Sequence, residues 1–95
     1  MWILRTTDNQ TNRVLRLTPG SPRTIGRASL ADFPVKAALI SRLHCRLVPT
    51  QTGLRVEDLK STNGTFVNGK RVSEAPLQVG DRLRLGRLEL EVSRQ

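Results

Sequence analysis

Apolar residues in this chain recur at every second position, in short stretches closed off by turn-forming residues. Leu15 and Leu17 flank Arg16, Leu54 and Val56 alternate with Arg55 and Glu57, and Leu83 and Leu85 flank Arg84. Leu88, Leu90 and Val92 alternate with Glu89 and Glu91, and Leu43, Cys45 and Leu47 alternate with His44 and Arg46. A period of two sends successive side chains to opposite faces of an extended strand, so each stretch reads as a strand with one face buried. Only residues 28–42 leave room for a short helical turn.

The turn residues set the connections. Pro19-Gly20-Ser21-Pro22 breaks the chain before Thr24-Ile25. Asn68-Gly69, between Phe66-Val67 and Lys70-Arg71-Val72, predicts a two-residue type I′ hairpin. Gly86-Arg87 suits a type II′ turn, which sets Leu85 opposite Leu88 and Leu83 opposite Leu90. Many short strands joined by frequent turns predict an all-β fold, an antiparallel sandwich or barrel. The 95 residues allow one domain, residues 1–95, with one modest core. The chain stops just after its last strand, as expected of a module belonging to a longer protein.

Composition narrows the chemistry. No apolar run approaches the ~20 residues of a membrane-spanning helix, and residues 1–20 carry no signal-peptide pattern. The lone Cys45 excludes an internal disulfide and fits a reducing, intracellular compartment. One Cys and one His cannot fill a zinc shell of about four ligands, so neither a metal nor a cofactor is expected. The net charge is +8, and thirteen of the sixteen basic residues are arginine. Arginine pairs bidentately with phosphate and carboxylate, which points to an anionic partner. A basic nucleic-acid-binding domain is the alternative. It rests on net charge alone, because no Lys/Arg run occurs and Trp2, Phe33 and Phe66 are too few and too scattered for a stacking platform.

Three short motifs offer what a phosphate dianion needs: a guanidinium, hydroxyls, and turns with open backbone N–H groups. They are Gly26-Arg27, Ser41-Arg42-Leu43-His44 and Ser61-Thr62-Asn63-Gly64, the last preceded by Asp58-Leu59. A Ser41–His44 nucleophile pair is the enzymatic alternative. It would need a third orienting group and an oxyanion hole, and a spacing of three along a strand puts the two on opposite faces. No enzymatic activity is therefore expected.

In this order, and followed by Asn68-Gly69, the motifs resemble the forkhead-associated (FHA) domain, a module that reads phosphothreonine in other proteins. The resemblance covers residues 23–92. It implies an antiparallel β-sandwich with binding loops at one end, whose partner is a phosphothreonine-containing protein or peptide in signalling. It implies phosphate contacts from Arg27, Ser41, Arg42 and Thr62 and a peptide-backbone contact from Asn63. It gives Gly26, His44, Ser61 and Gly64 the task of shaping the loops, with His44 a structural brace. Some members carry a basic residue two positions before the serine, which reads an acidic side chain of the ligand. Leu39 stands there in this chain. The opening Met1-Trp2 is similar to the start of a DNA-break repair scaffold that begins with such a domain, and implies a nuclear setting in the DNA-damage response.

Overall fold

The computed structural model describes residues 1–8 and 12–95. The strands are β1 (Trp2–Thr6), β2 (Val14–Leu17), β3 (Arg23–Gly26), β4 (Phe33–Pro34), β5 (Cys45–Pro49) and β6 (Leu54–Asp58). They continue with β7 (Thr65–Val67), β8 (Lys70–Val72), β9 (Glu74–Leu77), β10 (Arg82–Leu85) and β11 (Leu88–Arg94). One sheet has the order β2-β1-β11-β10-β7-β8 and the other β4-β3-β5-β6-β9. Every strand pairing is antiparallel except that of β3 with the two-residue β4, which is parallel. The fold is the β-sandwich expected.

The alternation in the sequence becomes the two sides of each sheet. Leu4, Leu17, Leu47, Leu54, Val56, Leu83, Leu85 and Leu90 meet between the sheets, each at most 1% exposed. Burying one such side chain contributes about 1.5–3 kcal/mol. The residues between them face outward and pair across strands. Arg46 and Glu57 are register partners and form an ion pair. Arg82 pairs with both Glu89 and Glu91. The Arg84 guanidinium lies over its register partner Phe66, 4.1 Å from the ring centroid.

Both short hairpins follow their turn residues. Asn68 and Gly69 have φ of 51° and 83°, the two positive values a type I′ turn requires. Gly86 has φ 58° with Arg87 in the ordinary region, and the register sets Leu85 against Leu88 and Leu83 against Leu90. Residues 28–42 form no helix. Phe33-Pro34 extends beside β3, Val35 N–H donates to Gly26 O at 2.8 Å, and bends and turns make up the rest. The strand pattern read at Leu43–Leu47 is also corrected at its start. Leu43 lies outside β5 and is 40% exposed, whereas His44 is fully buried.

The two ends of the sandwich differ. At one, the β2–β3 and β5–β6 turns meet the chain termini. Gly20 N–H donates to Pro49 O, the Trp2 indole to Thr50 O and Arg94 to Gln51 O. Met1 and Gln95 exchange backbone hydrogen bonds there, at 2.9 and 3.3 Å. At the other end, the β3–β4, β4–β5 and β6–β7 loops converge, with the Gly86-Arg87 turn against them.

Candidate functional site

The converging loops surround a cleft of about 370 Å³ lined by Arg27, Ala38, Leu39, Ile40, Ser41, Thr62 and Asn63. It begins with Gly26. A β-carbon there would sit 2.1 Å from Arg42 O and 2.9 Å from Leu43 Cα, so only glycine lets the 41–43 backbone lie against the end of β3. That approach is closed by Arg27 N–H donating to Ser41 O at 2.9 Å and Ala28 N–H to Arg42 O at 3.0 Å. Arg27 Nε donates to Ile40 O at 3.1 Å, which anchors the exposed guanidinium at the rim.

His44 ties two loops together. Ser41 N–H donates to His44 Nδ1 at 3.0 Å, so that nitrogen carries no proton and Nε2–H donates to Gly64 O at 2.8 Å. With both ring nitrogens committed, the imidazole has none left to take a proton from Ser41. Ser41 Oγ is itself engaged, accepting Thr62 N–H at 3.0 Å. These bonds link the β4–β5 loop to the β6–β7 loop on both sides of the ring.

The β6–β7 loop folds around Asp58. Its carboxylate accepts the Ser61 hydroxyl, the Thr65 hydroxyl at 2.8 Å and Ser61 N–H at 3.1 Å. Ser61 Oγ in turn accepts Gly64 N–H at 3.0 Å. Burial pulls the Asp58 carboxyl upward. The bonds from Ser61 and Thr65, with a lesser contribution from the His44 ring, outweigh it and hold it below its ordinary value. His44, Ser61 and Thr65 are the buried polar side chains among the described residues. They form a satisfied internal frame, while Thr62 and Asn63 stand exposed above it.

Asn63 Nδ2 donates to Leu39 O at 3.1 Å across the cleft. Leu39 holds φ 72°, a left-handed conformation that costs a leucine about 1–2 kcal/mol. It swings the carbonyl to Asn63 and leaves the side chain 47% exposed at the rim. Neither the frame carboxylate Asp58 nor Leu39 stood among the expected site residues. The sequence signal for Asp58 was its place three residues before Ser61 and seven before Thr65. For Leu39 it was its place two residues before Ser41, where some family members carry a ligand-reading basic residue.

Arg27, Ser41, Thr62 and Asn63 thus share one cleft, and Gly26, His44, Ser61 and Gly64 shape it from below. Arg42 does not line it. Its side chain projects from the exposed adjacent loop and forms no ion pair among the described residues. Asn63-Gly64 lies in a loop that crosses between the sheets, from β6 to β7, and Gly64 takes a φ of 94° there. The cleft carries a guanidinium, two hydroxyls and an amide, and no carboxylate lines it. Such a lining favours an anion with several acceptor oxygens. Among the described residues, no group of three or more His, Cys, Asp or Glu is arranged to hold a metal ion.

A family model described as "FHA domain" matches residues 23–86. The ABC transporter ATP-binding/permease protein Rv1747 of Mycobacterium tuberculosis is 47% identical over 74 residues, 78% of this chain. The chain spans 8% of that transporter's length. A crystal structure of the FhaA FHA domain complexed with the intracellular domain of Rv3910 superposes with a TM-score of 0.89 at 34% identity, covering 98% of this chain and all of that one. A structure described as a "structural and functional analysis of phosphothreonine-dependent FHA domain interactions" gives 0.90, also at 34% identity, covering 99% of this chain and 96% of that one.

Proposed function

The chain belongs to the forkhead-associated family, and on that premise we propose that it binds phosphothreonine-bearing segments of partner proteins in signalling. The observation that carries this is the cleft whose single charged lining residue is the Arg27 guanidinium, beside the hydroxyls of Ser41 and Thr62. A phosphate ester brings about −1.5 to −2 charge and three acceptor oxygens near neutral pH. The Arg27 Nη groups and the two hydroxyls donate to those oxygens. Arg42 reaches in from its exposed loop, and Asn63 holds the peptide backbone. The apolar stretch Ala38–Ile40 receives the threonine methyl. The phosphothreonine dependence of a structural relative and the FhaA domain's complex with another protein's intracellular domain support the same ligand class. An intracellular setting rests on the lone Cys45, and a nuclear one in the DNA-damage response on the Met1-Trp2 resemblance alone.

Calorimetric titration with one peptide carrying phosphothreonine, phosphoserine or threonine at the same position tests the reading. The phosphothreonine form binds, the unphosphorylated form does not, and phosphoserine is weaker by at least ~0.8 kcal/mol, roughly fourfold, for the missing methyl. Arg27→Ala loses at least ~1.5–3 kcal/mol of affinity with an unchanged circular dichroism spectrum. Binding that ignores the phosphate, or that survives Arg27→Ala, overturns the assignment. If single-stranded DNA competes while the phosphopeptide does not, the nucleic-acid alternative takes its place.

A further inference from the structure

The outer faces of the two sheets differ in charge. On the β4-β3-β5-β6-β9 sheet the outward side chains cancel, Arg46 with Glu57 and Arg55 with Glu74. On the six-stranded sheet they do not. The outward acids of β11, Glu89 and Glu91, are both spent on Arg82. Arg5, Arg16, Arg71 and Arg84 have no acidic partner among the described residues.

Two of these arginines stand in one row with an aromatic ring. Arg84, Phe66 and Arg71 are successive register partners across β10, β7 and β8, so they share the outer face. Arg84 covers the half-buried Phe66 ring at one end of the row. At the other end Arg71 is exposed, and its guanidinium lies over Gly64. A β-carbon on Gly64 would sit 2.7 Å from Arg71 Nε and 3.1 Å from Cζ. Gly64 follows Asn63, which lines the cleft. The row therefore begins where the cleft ends and extends ~10 Å, two strand spacings of ~4.8 Å.

We infer that this row is a docking surface for an acid-rich segment of the phosphorylated partner, one that leaves the cleft across Gly64 and passes over β8, β7 and β10. The inference rests on the phosphothreonine reading above. Charge complementarity selects the occupant. Arg71 and Arg84 offer guanidiniums to separate carboxylates, and Phe66 between them supports the apolar stems of such side chains. Arginine and aromatic residues are the types enriched at protein interfaces. Glu89 and Glu91 stand on the next strand of the same face. They repel a continuous polyphosphate such as a nucleic acid, whereas a polypeptide spaces its charges around them.

The test titrates the domain by calorimetry with a phosphothreonine peptide of uncharged flanks and with two longer versions. These carry glutamates at the fifth to eighth positions before or after the phosphothreonine, with every nearer residue uncharged. At ~3.3 Å per residue those positions reach ~16–26 Å along an extended chain, beyond the cleft. On one side the glutamates tighten binding about fivefold, the scale of two exposed ion pairs. Arg71→Gln/Arg84→Gln removes that gain and leaves the uncharged peptide within about twofold of its original affinity. Arg46→Gln/Arg55→Gln takes the same charge from the other sheet and keeps the gain. In the unaltered domain, the backbone amide NMR signals of Phe66 and Arg71 shift with the glutamate peptide and stay in place with the uncharged one. The inference is overturned if the gain survives Arg71→Gln/Arg84→Gln, if the control pair abolishes it equally, or if those two amides do not respond. If single-stranded DNA moves them and the glutamates do not, the face belongs to nucleic acid and the inference falls. A domain that binds no phosphothreonine peptide overturns the functional reading and this inference together. Binding of the uncharged peptide with no gain on either side overturns this inference alone.

Discussion

A methyl group at position 26 has nowhere to go, because the Arg42 carbonyl occupies the place a β-carbon would take. The obstacle is backbone, so no rotamer change relieves it. Gly26→Ala displaces the 41–43 segment and should cost about 1–3 kcal/mol, the scale of overpacking. Denaturant unfolding measures that cost, and phosphopeptide affinity falls with it because Arg27 and Ser41 lie on the two sides of the contact. His44 is held in a different way. Its neighbours are a backbone donor, Ser41 N–H, and a backbone acceptor, Gly64 O. His44→Ala leaves both without their partner in a buried place, for a loss of at least ~2 kcal/mol. Thermal unfolding monitors it, and a native melting temperature would refute the bracing role. Cys45, its neighbour, is inert by contrast. Burial raises its thiol far above the usual range, the Asp58 charge adds to this, and so the thiolate nucleophile is suppressed.

The β6–β7 loop is an element built on one carboxylate, and its stability follows that group's titration. The Asp58 value is lowered in the folded protein despite the opposing effect of burial. Such a group stabilises the fold at pH above the ordinary aspartate value near ~3.9, and the contribution disappears as pH falls through the lower folded value. Asp32 acts in the same direction, held down chiefly by the Thr24 backbone N–H. Denaturant midpoints should therefore drop as pH falls below about 4, and Asp58→Asn should flatten part of that drop. The elements themselves were largely legible in the sequence. Period-two runs gave the long strands, and the dipeptides at 68–69 and 86–87 gave turns of the type found. The failures share a cause. β4 is two residues long, and its parallel pairing to β3 comes from tertiary contact rather than from any local pattern. His44 falls on the polar beat of an alternation, yet it is buried because it sits before the strand, in a loop whose backbone it completes. Arg42 follows Ser41 in the motif, and its carbonyl is held by Ala28 N–H, but the side chain does not line the cleft in the unliganded domain. Motif order locates a loop in the fold; it does not aim every side chain on it.

For the molecule as a whole, charge is the property that acts at a distance. A net charge of +8 favours the approach of anionic ligands before any contact forms. Raising salt should slow association more than it speeds dissociation, since screening acts beyond the ~10 Å Debye length of 0.1 M salt. Stopped-flow association and dissociation rates at two ionic strengths decide this, and equal changes in both would place the electrostatics in the bound complex alone. Affinity should also weaken from pH 7 to pH 5, as the phosphate passes its second pKa near ~6 and loses charge. The paired ends of the chain bear on how the domain can be carried. Met1 and Gln95 lie side by side at the pole of the sandwich away from the cleft. Whatever polypeptide is joined there, before or after, leaves from one point behind the reading face. The domain then resembles a bead hung by a doubled thread: a host chain could run in and straight out again, its path barely lengthened, with the cleft always facing away from its own tether.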